Sequence, residues 1–192
     1  LCSACGNDFP KWNGQCFSCK EWGTLAEFKV SKSKNSRTFQ PRDTKSLKDI
    51  LSKEPEARIP SGLKEADRVL GGGLLPGSLI LLGGNPGVGK STLALHVCSG
   101  SQKKVLYVSA EESEEQVALR ARRIKVDHDK LFLSSENELD GIINHIDRVE
   151  PDLVVIDSIQ TIMNTGLDSL PGSPSQIRDC GQRLLELSLI HI

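Results

Sequence analysis

The chain has 192 residues, of which 38% are hydrophobic and 26% are charged, and its formal net charge is −1. This length fits one ordinary domain with a small appendage, and the hydrophobic fraction can build a buried core, so a disordered or fibrous protein is excluded. No run of eighteen apolar residues occurs in the sequence, so we predict no membrane span and no membrane partner.

Four of the six cysteines lie in two pairs at the start of the chain, namely Cys2, Cys5, Cys16 and Cys19. Each C-x-x-C pair can turn two thiolates toward one point, and two pairs supply the tetrahedral sulfur set that Zn²⁺ favours. We therefore predict a structural zinc-finger module over residues 1–28, folded largely by metal binding. Two disulfides, a redox C-x-x-C and an iron site remain open alternatives.

Three aromatic side chains, Trp12, Phe17 and Trp22, belong to this module. They can stack on nucleic acid bases or on a neighbouring domain, or they can cap the small metal core. The sequence leaves both interpretations open.

Residues 29–58 are predicted to form a basic linker ahead of the main domain. Residues 1–58 contain 11 of the 24 Lys and Arg but 7 of the 25 Asp and Glu, which makes the remainder acidic. This asymmetry is weak evidence for an anionic partner at the amino-terminal end. A solvated linker and a segment that follows a phosphate backbone both remain open.

From residue 59 onward, apolar runs alternate with helix-like stretches. A short helix over residues 63–70 ends at three glycines, and the apolar residues 78–83 are predicted to form the first strand. Further strands are predicted over residues 103–108, 131–134 and 153–157, and further helices over 113–124, 139–149 and 176–187. Ser113, followed by Glu114, Glu115 and Gln116, is predicted to be the N-cap of the helix over 113–124. The alternation indicates an α/β fold with a parallel sheet, and residues 163–175 are predicted to form a mobile loop.

The loop after the first predicted strand fits the phosphate-binding pattern G-x-x-x-x-G-K-[ST]. Its residues are Gly84, Asn85, Pro86, Gly87, Val88, Gly89, Lys90, Ser91 and Thr92. The glycines let backbone N–H groups point inward, and the following helix adds its positive end. Lys90 can reach the β- and γ-phosphates, and the Ser91 hydroxyl can complete a Mg²⁺ shell. We therefore predict nucleoside triphosphate binding, and a plain glycine-rich turn is the alternative.

Two acids follow the ends of predicted strands. Open α/β sheets bind ligands at the carboxyl ends of their strands, so Asp157 can hold Mg²⁺ through water opposite Ser91. Glu111 can polarise the attacking water, and Glu112 is the rival for that role. A strand-ending turn at Asp157 and an acid-rich helix start at Glu111 are the alternatives.

Three parts of the sequence together resemble the bacterial RadA (Sms) family of DNA repair proteins, relatives of RecA. They are the paired cysteines with Lys11-Trp12 and Glu21-Trp22, residues 67–92 through the phosphate loop, and the stretches 107–113 and 155–161. The resemblance covers nearly the whole chain. The cysteine pairs ahead of a RecA-type core make it specific.

The resemblance implies a DNA-dependent ATPase and probable helicase that promotes branch migration in homologous recombination and repair, with ATP, Mg²⁺ and Zn²⁺ as cofactors. Glu111 and Lys90 would be catalytic, and Asp157 would be the acid on the Mg²⁺ side. Single-stranded or branched DNA, a RecA-type recombinase and a homo-hexamer are the implied partners. A bacterial cytoplasmic location is implied, and an organelle stays open for a eukaryotic source because the chain begins at Leu1.

Some positions depart from the family pattern. The family usually has Asp at Asn85, and its members continue with further core strands and a Lon-protease-like domain. We therefore predict that residues 59–192 are the amino-terminal portion of a RecA-like core, with an incomplete sheet, and that this chain hydrolyses ATP poorly. The last six residues do not resemble the family's continuation. A KaiC-like nucleotide-gated switch and a DNA-binding module with an inactive core remain the alternatives.

Overall fold

The computed structural model describes residues 2–7, 9, 11–26, 44, 46–52 and 57–190. Most of the predicted basic linker lies outside these residues. Within them the elements are α1 (Leu47–Leu51), α2 (Lys64–Val69), α3 (Lys90–Ser101), β1 (Val105–Ser109), α4 (Glu114–Arg123), β2 (Leu131–Ser134), α5 (Leu139–Val149), β3 (Leu153–Asp157) and α6 (Pro174–Ile190). The predicted α/β class is confirmed, and β2, α5 and β3 have the predicted bounds.

The sheet is parallel and has the strand order β2-β1-β3. In its register Val105 lies opposite both Leu131 and Leu153, and Ser109 lies opposite Asp157. Each strand is followed by a helix before the next parallel strand, as parallel pairing requires. All five residues of β1 are buried, because it has a neighbour on each side and helices on both faces.

Two hydrophobic clusters cover the two faces of the sheet. On one face, Leu106 and Val108 of β1 pack with side chains of α5 and α6, including Ile142, Ile146 and Leu184. On the other face, Val105 and Tyr107 pack with Leu95 and Cys98 of α3 and Val117 of α4. The alternation along β1 therefore assigns each side chain to one layer.

The helix after β1 begins as its sequence predicts. Ser113 is the N-cap of α4, its hydroxyl accepts a hydrogen bond from the Gln116 backbone, and the Gln116 side chain accepts one from the Ser113 backbone. Such a capping box satisfies two amide donors that an uncapped helix start leaves free. The predicted N-cap at Ser113 is confirmed.

The prediction of a strand over residues 78–83 is wrong for this structure. These residues are in no strand, and Leu81 is 85% exposed while Leu79, Ile80 and Leu82 are also exposed. A strand requires a hydrogen-bonded neighbour, and among the described residues β3 pairs with β1 alone, so its second edge is open. An apolar run without a partner edge gains neither ladder bonds nor burial.

The amino-terminal module touches the main domain at the start of α6. Arg178 Nη1 donates to the Gly6 carbonyl at 3.2 Å, and a Cβ at Gly6 would lie 2.9 Å from Pro174 Cβ. Glycine is therefore needed for this close approach. Within the described ranges, no helix combines the length and apolar character that crossing a bilayer requires.

Candidate functional site

The predicted phosphate loop leads directly into α3. Gly87 and Gly89 have φ values of 77° and 101°, a region that residues with a Cβ rarely adopt. Gly89 is the N-cap of α3 and gives its first-turn amides no side-chain acceptor. Space is open where a Cβ of either glycine would be. A first helical turn without a side-chain cap, the helix N-terminus and this open space fit an anionic ligand.

Lys90 folds back over its own loop. Its Nζ donates to the carbonyls of Gly84 and Asn85 at 2.9 and 3.0 Å. The ammonium group is thus held beside the loop amides by two exposed hydrogen bonds. Carbonyl partners are readily exchanged for phosphate oxygens, since a charged acceptor forms the stronger bond.

The orientation of α3 brings the loop to the carboxyl ends of the strands. Only residues 102–104 connect α3 to β1, and Leu95 and Cys98 of α3 pack on Tyr107 and Val155. A helix joined so tightly and packed along the strands runs antiparallel to them. We therefore expect the start of α3, with Lys90, to lie toward the edge where β1 and β3 end.

The two predicted acids lie together at this edge. Asp157 ends β3 opposite Ser109, and Glu111 follows β1 by two residues. The Ser158 hydroxyl donates to Glu111 Oε1 at 2.8 Å, which joins the segments that follow the two strands. Carboxylates and the Ser91 hydroxyl are oxygen ligands of the kind that Mg²⁺ binds, so the donor set fits this ion.

Asp157 has a buried partner that the sequence did not identify. The Tyr107 hydroxyl donates to Asp157 Oδ2 at 2.6 Å, and Tyr107 is fully buried. Burial, and then the hydrogen bond with Asp157, raises the pKa of Tyr107 far above its usual value. The phenol therefore remains protonated and acts as a donor. The only signal in the sequence was a single tyrosine within the apolar run of residues 105–108.

Glu111 and Glu112 differ in their surroundings. Glu112 forms an ion pair with Arg120 of α4, and its second oxygen is buried with no partner among the described residues. Glu111 is exposed at the same edge as Asp157. Glu111 is thus the more accessible of the two carboxylates to water. The ion pair between Glu112 and Arg120 depends on the turn before α4, and it could not be predicted from the sequence.

The four amino-terminal cysteines converge as predicted. Their sulfur atoms all lie within 4.8 Å of one another, and Cys2 and Cys16 are fully buried. None of the cysteines among the described residues forms a disulfide. Four thiols at one point are the ligand set of a closed, structural Zn²⁺ or iron site.

Backbone turns form the two knuckles. Gly6 N donates to the Cys2 carbonyl at 2.9 Å and Lys20 N donates to the Cys16 carbonyl at 2.8 Å, with positive φ at Gly6 and Lys20. Hydrogen bonds, first with the Thr24 hydroxyl and then with the backbone of Cys5 and Ala4, lower the pKa of Cys2 to about 6 against the effect of burial. A lowered pKa favours the thiolate, which is the form that binds a metal.

The aromatic side chains of this module face outward. Trp12 and Trp22 are each 74% exposed and Phe17 is 69% exposed. The interpretation that they cap the metal core is therefore wrong. Trp12 still donates from Nε1 to the Leu25 carbonyl at 3.1 Å, which fixes one edge of its indole ring.

The parallel sheet, the phosphate loop and the acids that follow β1 and β3 together define a P-loop protein of the α/β class. The four-cysteine module is separate from this domain. A family model described as "AAA domain" matches residues 46–188, and the chain belongs to this family. A second model, described as "Rubredoxin metal binding domain", matches residues 1–27.

Curated relatives carry one recurrent name. The chain is 43% identical to the DNA repair protein RadA of Listeria monocytogenes over 98% of this chain and 42% of the relative. It is 46% identical to that of Rickettsia bellii, over 96% of this chain and 42% of the relative. It is 40% identical to that of Bacillus subtilis, over 98% of this chain and 43% of the relative. The predicted resemblance is confirmed, and the chain spans about two fifths of these relatives' length.

Proposed function

We propose that this chain carries the metal module and the nucleotide-binding part of a DNA-dependent ATPase that acts in recombination and repair. The observation that supports this most directly is the hydrogen bond that joins the segments of Glu111 and Asp157 at the carboxyl ends of β1 and β3, the edge toward which the packing of α3 is expected to direct the phosphate loop. Similarity to relatives named DNA repair protein RadA supports the link to DNA. In this proposal Cys2, Cys5, Cys16 and Cys19 hold Zn²⁺.

In this proposal each residue of the site has a separate role in the hydrolysis of ATP. The loop amides and Lys90 bind the β- and γ-phosphates of ATP, and Lys90 leaves its two carbonyl acceptors to do so. Ser91 and Asp157 would hold Mg²⁺, which would supply positive charge to offset the charge of the phosphates. Glu111 orients a water molecule for attack on the γ-phosphorus and accepts its proton, while the bond from the γ-phosphorus to ADP breaks and ADP leaves.

The proposal extends to the partners of the protein and to its activity on DNA. Single-stranded or branched DNA is the polymer partner, and the exposed Trp12, Phe17 and Trp22 provide surfaces on which bases can stack. Branch migration, helicase-type activity, a RecA-type recombinase partner, a homo-hexamer and a bacterial cytoplasmic location rest on the family resemblance. The four-cysteine module favours this function over a KaiC-like switch.

The open edge of β3 and the exposed residues 79–82 favour slow hydrolysis by this chain. A phosphate loop whose preceding segment is unpaired is less firmly positioned against Asp157 and Glu111. A DNA-binding module with an inactive core is therefore the second candidate function. Strong ATP turnover stimulated by single-stranded DNA in this chain would contradict slow hydrolysis, and would support the motor function directly.

Nucleotide binding can be tested with Lys90→Ala. We expect the affinity for a fluorescent ATP analogue with Mg²⁺ to fall about 10- to 100-fold, because charge-assisted hydrogen bonds to phosphate are lost. Lys103→Ala is the matched control, since Lys103 is an exposed lysine in the link at the other end of α3. Equal affinity of the two variants would overturn the proposed nucleotide site.

A further inference from the structure

Tyr107 occupies an unusual position for a polar side chain. It lies in the middle of the central strand, fully buried, and packs among Leu95, Cys98 and Val117. A buried hydroxyl requires a hydrogen-bond partner, because leaving it unpaired costs free energy comparable to a lost bond. Phenylalanine would fill the same space without that requirement. The hydroxyl therefore calls for an explanation beyond packing.

The sheet register explains how Tyr107 reaches Asp157. Tyr107 lies opposite Val155 on β3, and Asp157 lies two residues further along the same strand. Residues two apart on a strand share one face, and a diagonal neighbour is within reach of an aromatic side chain. The long ring thus carries its hydroxyl from the strand interior to the carboxyl end of β3.

The contact has the geometry of a charge-assisted hydrogen bond. Its oxygen–oxygen distance is 2.6 Å, within the range of a hydroxyl that donates to a carboxylate. Among the described residues, Tyr107 is the one side chain that donates to Asp157. A carboxylate without a partner adopts a broad range of torsion angles about its last side-chain bond. A single strong donor therefore restricts its orientation.

We propose that Tyr107 is a positioning residue that orients the Asp157 carboxylate toward the metal of a Mg²⁺–nucleotide complex. This inference rests on the proposed function, in which Asp157 and Ser91 hold Mg²⁺. Tyr107 occupies Oδ2 from the buried side, which leaves the rest of the carboxylate for water molecules of the metal shell. Loss of the hydroxyl should therefore weaken the Mg²⁺-dependent binding of nucleotide and leave nucleotide binding without Mg²⁺ unchanged.

The test is Tyr107→Phe in the full chain, with the affinity for a fluorescent ATP analogue measured across a Mg²⁺ titration and again in EDTA. We expect the half-saturating Mg²⁺ concentration to rise about 3- to 10-fold, as for loss of one hydrogen bond. Affinity in EDTA should remain unchanged. Adding Tyr107→Phe to Asp157→Asn should have no further effect, because the hydroxyl acts through the carboxylate.

Ser101→Ala is the matched control, since it removes a buried hydroxyl that donates to the Cys98 carbonyl at the opposite end of α3. An unchanged Mg²⁺ titration in Tyr107→Phe, or an equal loss of affinity with and without Mg²⁺, would overturn the positioning role. Absence of nucleotide binding in the unsubstituted chain would instead refute the proposed function itself, and the two failures are thereby separate.

Discussion

Glu111 and Glu112 are neighbours in sequence, yet their side chains have different partners. Glu112 is paired with Arg120 in a partly buried contact, whereas Glu111 is exposed and accepts a hydrogen bond from Ser158. An acid committed to a structural ion pair is poorly suited to activate water, because its charge is already compensated. This difference favours Glu111 as the catalytic carboxylate.

The pair gives a prediction about stability. Glu112→Gln should lower the free energy of unfolding by about 1 kcal/mol, because Arg120 loses its partly buried partner. Glu111→Gln should change it by less than about 0.5 kcal/mol, as is usual for exposed side chains. Urea denaturation measures both values. Equal effects of the two substitutions would contradict the assignment of Glu112 to a structural role.

The cysteines outside the metal module should be chemically inert. Burial raises the pKa of the Cys98 thiol to about 12, and burial also raises the pKa of Cys180. At pH 8 both are therefore protonated thiols, and thiolate appears only as the pH rises toward the folded-state pKa. Iodoacetamide labelling at pH 8, read by mass spectrometry, should modify neither residue before unfolding. Rapid labelling of Cys98 in the folded protein would contradict its burial.

At the scale of elements, α6 and the loop before it form one unit. The Gln176 side chain is buried and binds the loop at three points: it accepts from Asn164 N and donates to the carbonyls of Asn164 and Ser169. The sequence predicted a mobile loop over residues 163–175 from its glycine, serine and proline content. The structure instead ties it to the first turns of α6.

Gln176→Ala should therefore destabilise the chain by about 2 kcal/mol, because it leaves buried backbone groups without partners. Gln182→Ala, which alters an exposed glutamine of the same helix bonded only to Glu186, should have a negligible effect. Urea unfolding measures stability, and limited proteolysis reports whether residues 164–173 become accessible. A stable Gln176→Ala variant with a protected loop would show that other contacts fix this segment.

At the scale of the whole molecule, the metal module and the main domain are joined by a small contact. Arg178 and Pro174 meet the backbone at Gly6, and no hydrophobic cluster of the described residues spans the two parts. The module is too small to bury a core of its own, so its folding depends on the metal. The main domain has two clusters that do not involve it.

Removal of the metal with a chelator should therefore unfold the module and leave the main domain folded. We expect protease cleavage within residues 2–26 after chelation, while the midpoint of thermal unfolding of the main domain changes by less than about 2 °C. Readdition of Zn²⁺ should restore protection. A large fall in the thermal unfolding midpoint of the main domain after chelation would contradict this independence. It would show strong coupling of the two parts through α6.

Local sequence by itself determined the turns, caps and spacing of this protein. The cysteine pairs, the glycines of the phosphate loop, the Ser113 cap and the acids at the strand ends could all be predicted, because each depends on residues within a few positions of one another. The bounds of β2, α5 and β3 followed for the same reason.

Only the tertiary structure decided which of these local features meet. The unpaired state of residues 78–83, the bond from Tyr107 to Asp157 and the pairing of Glu112 with Arg120 depend on neighbouring strands, register and side-chain reach. A strand forms only where another edge accepts its hydrogen bonds, and a buried hydroxyl finds its partner only when the sheet has brought it near. These long-range conditions are not encoded in the spacing of adjacent residues, so the contacts that position the site appeared only in the folded chain.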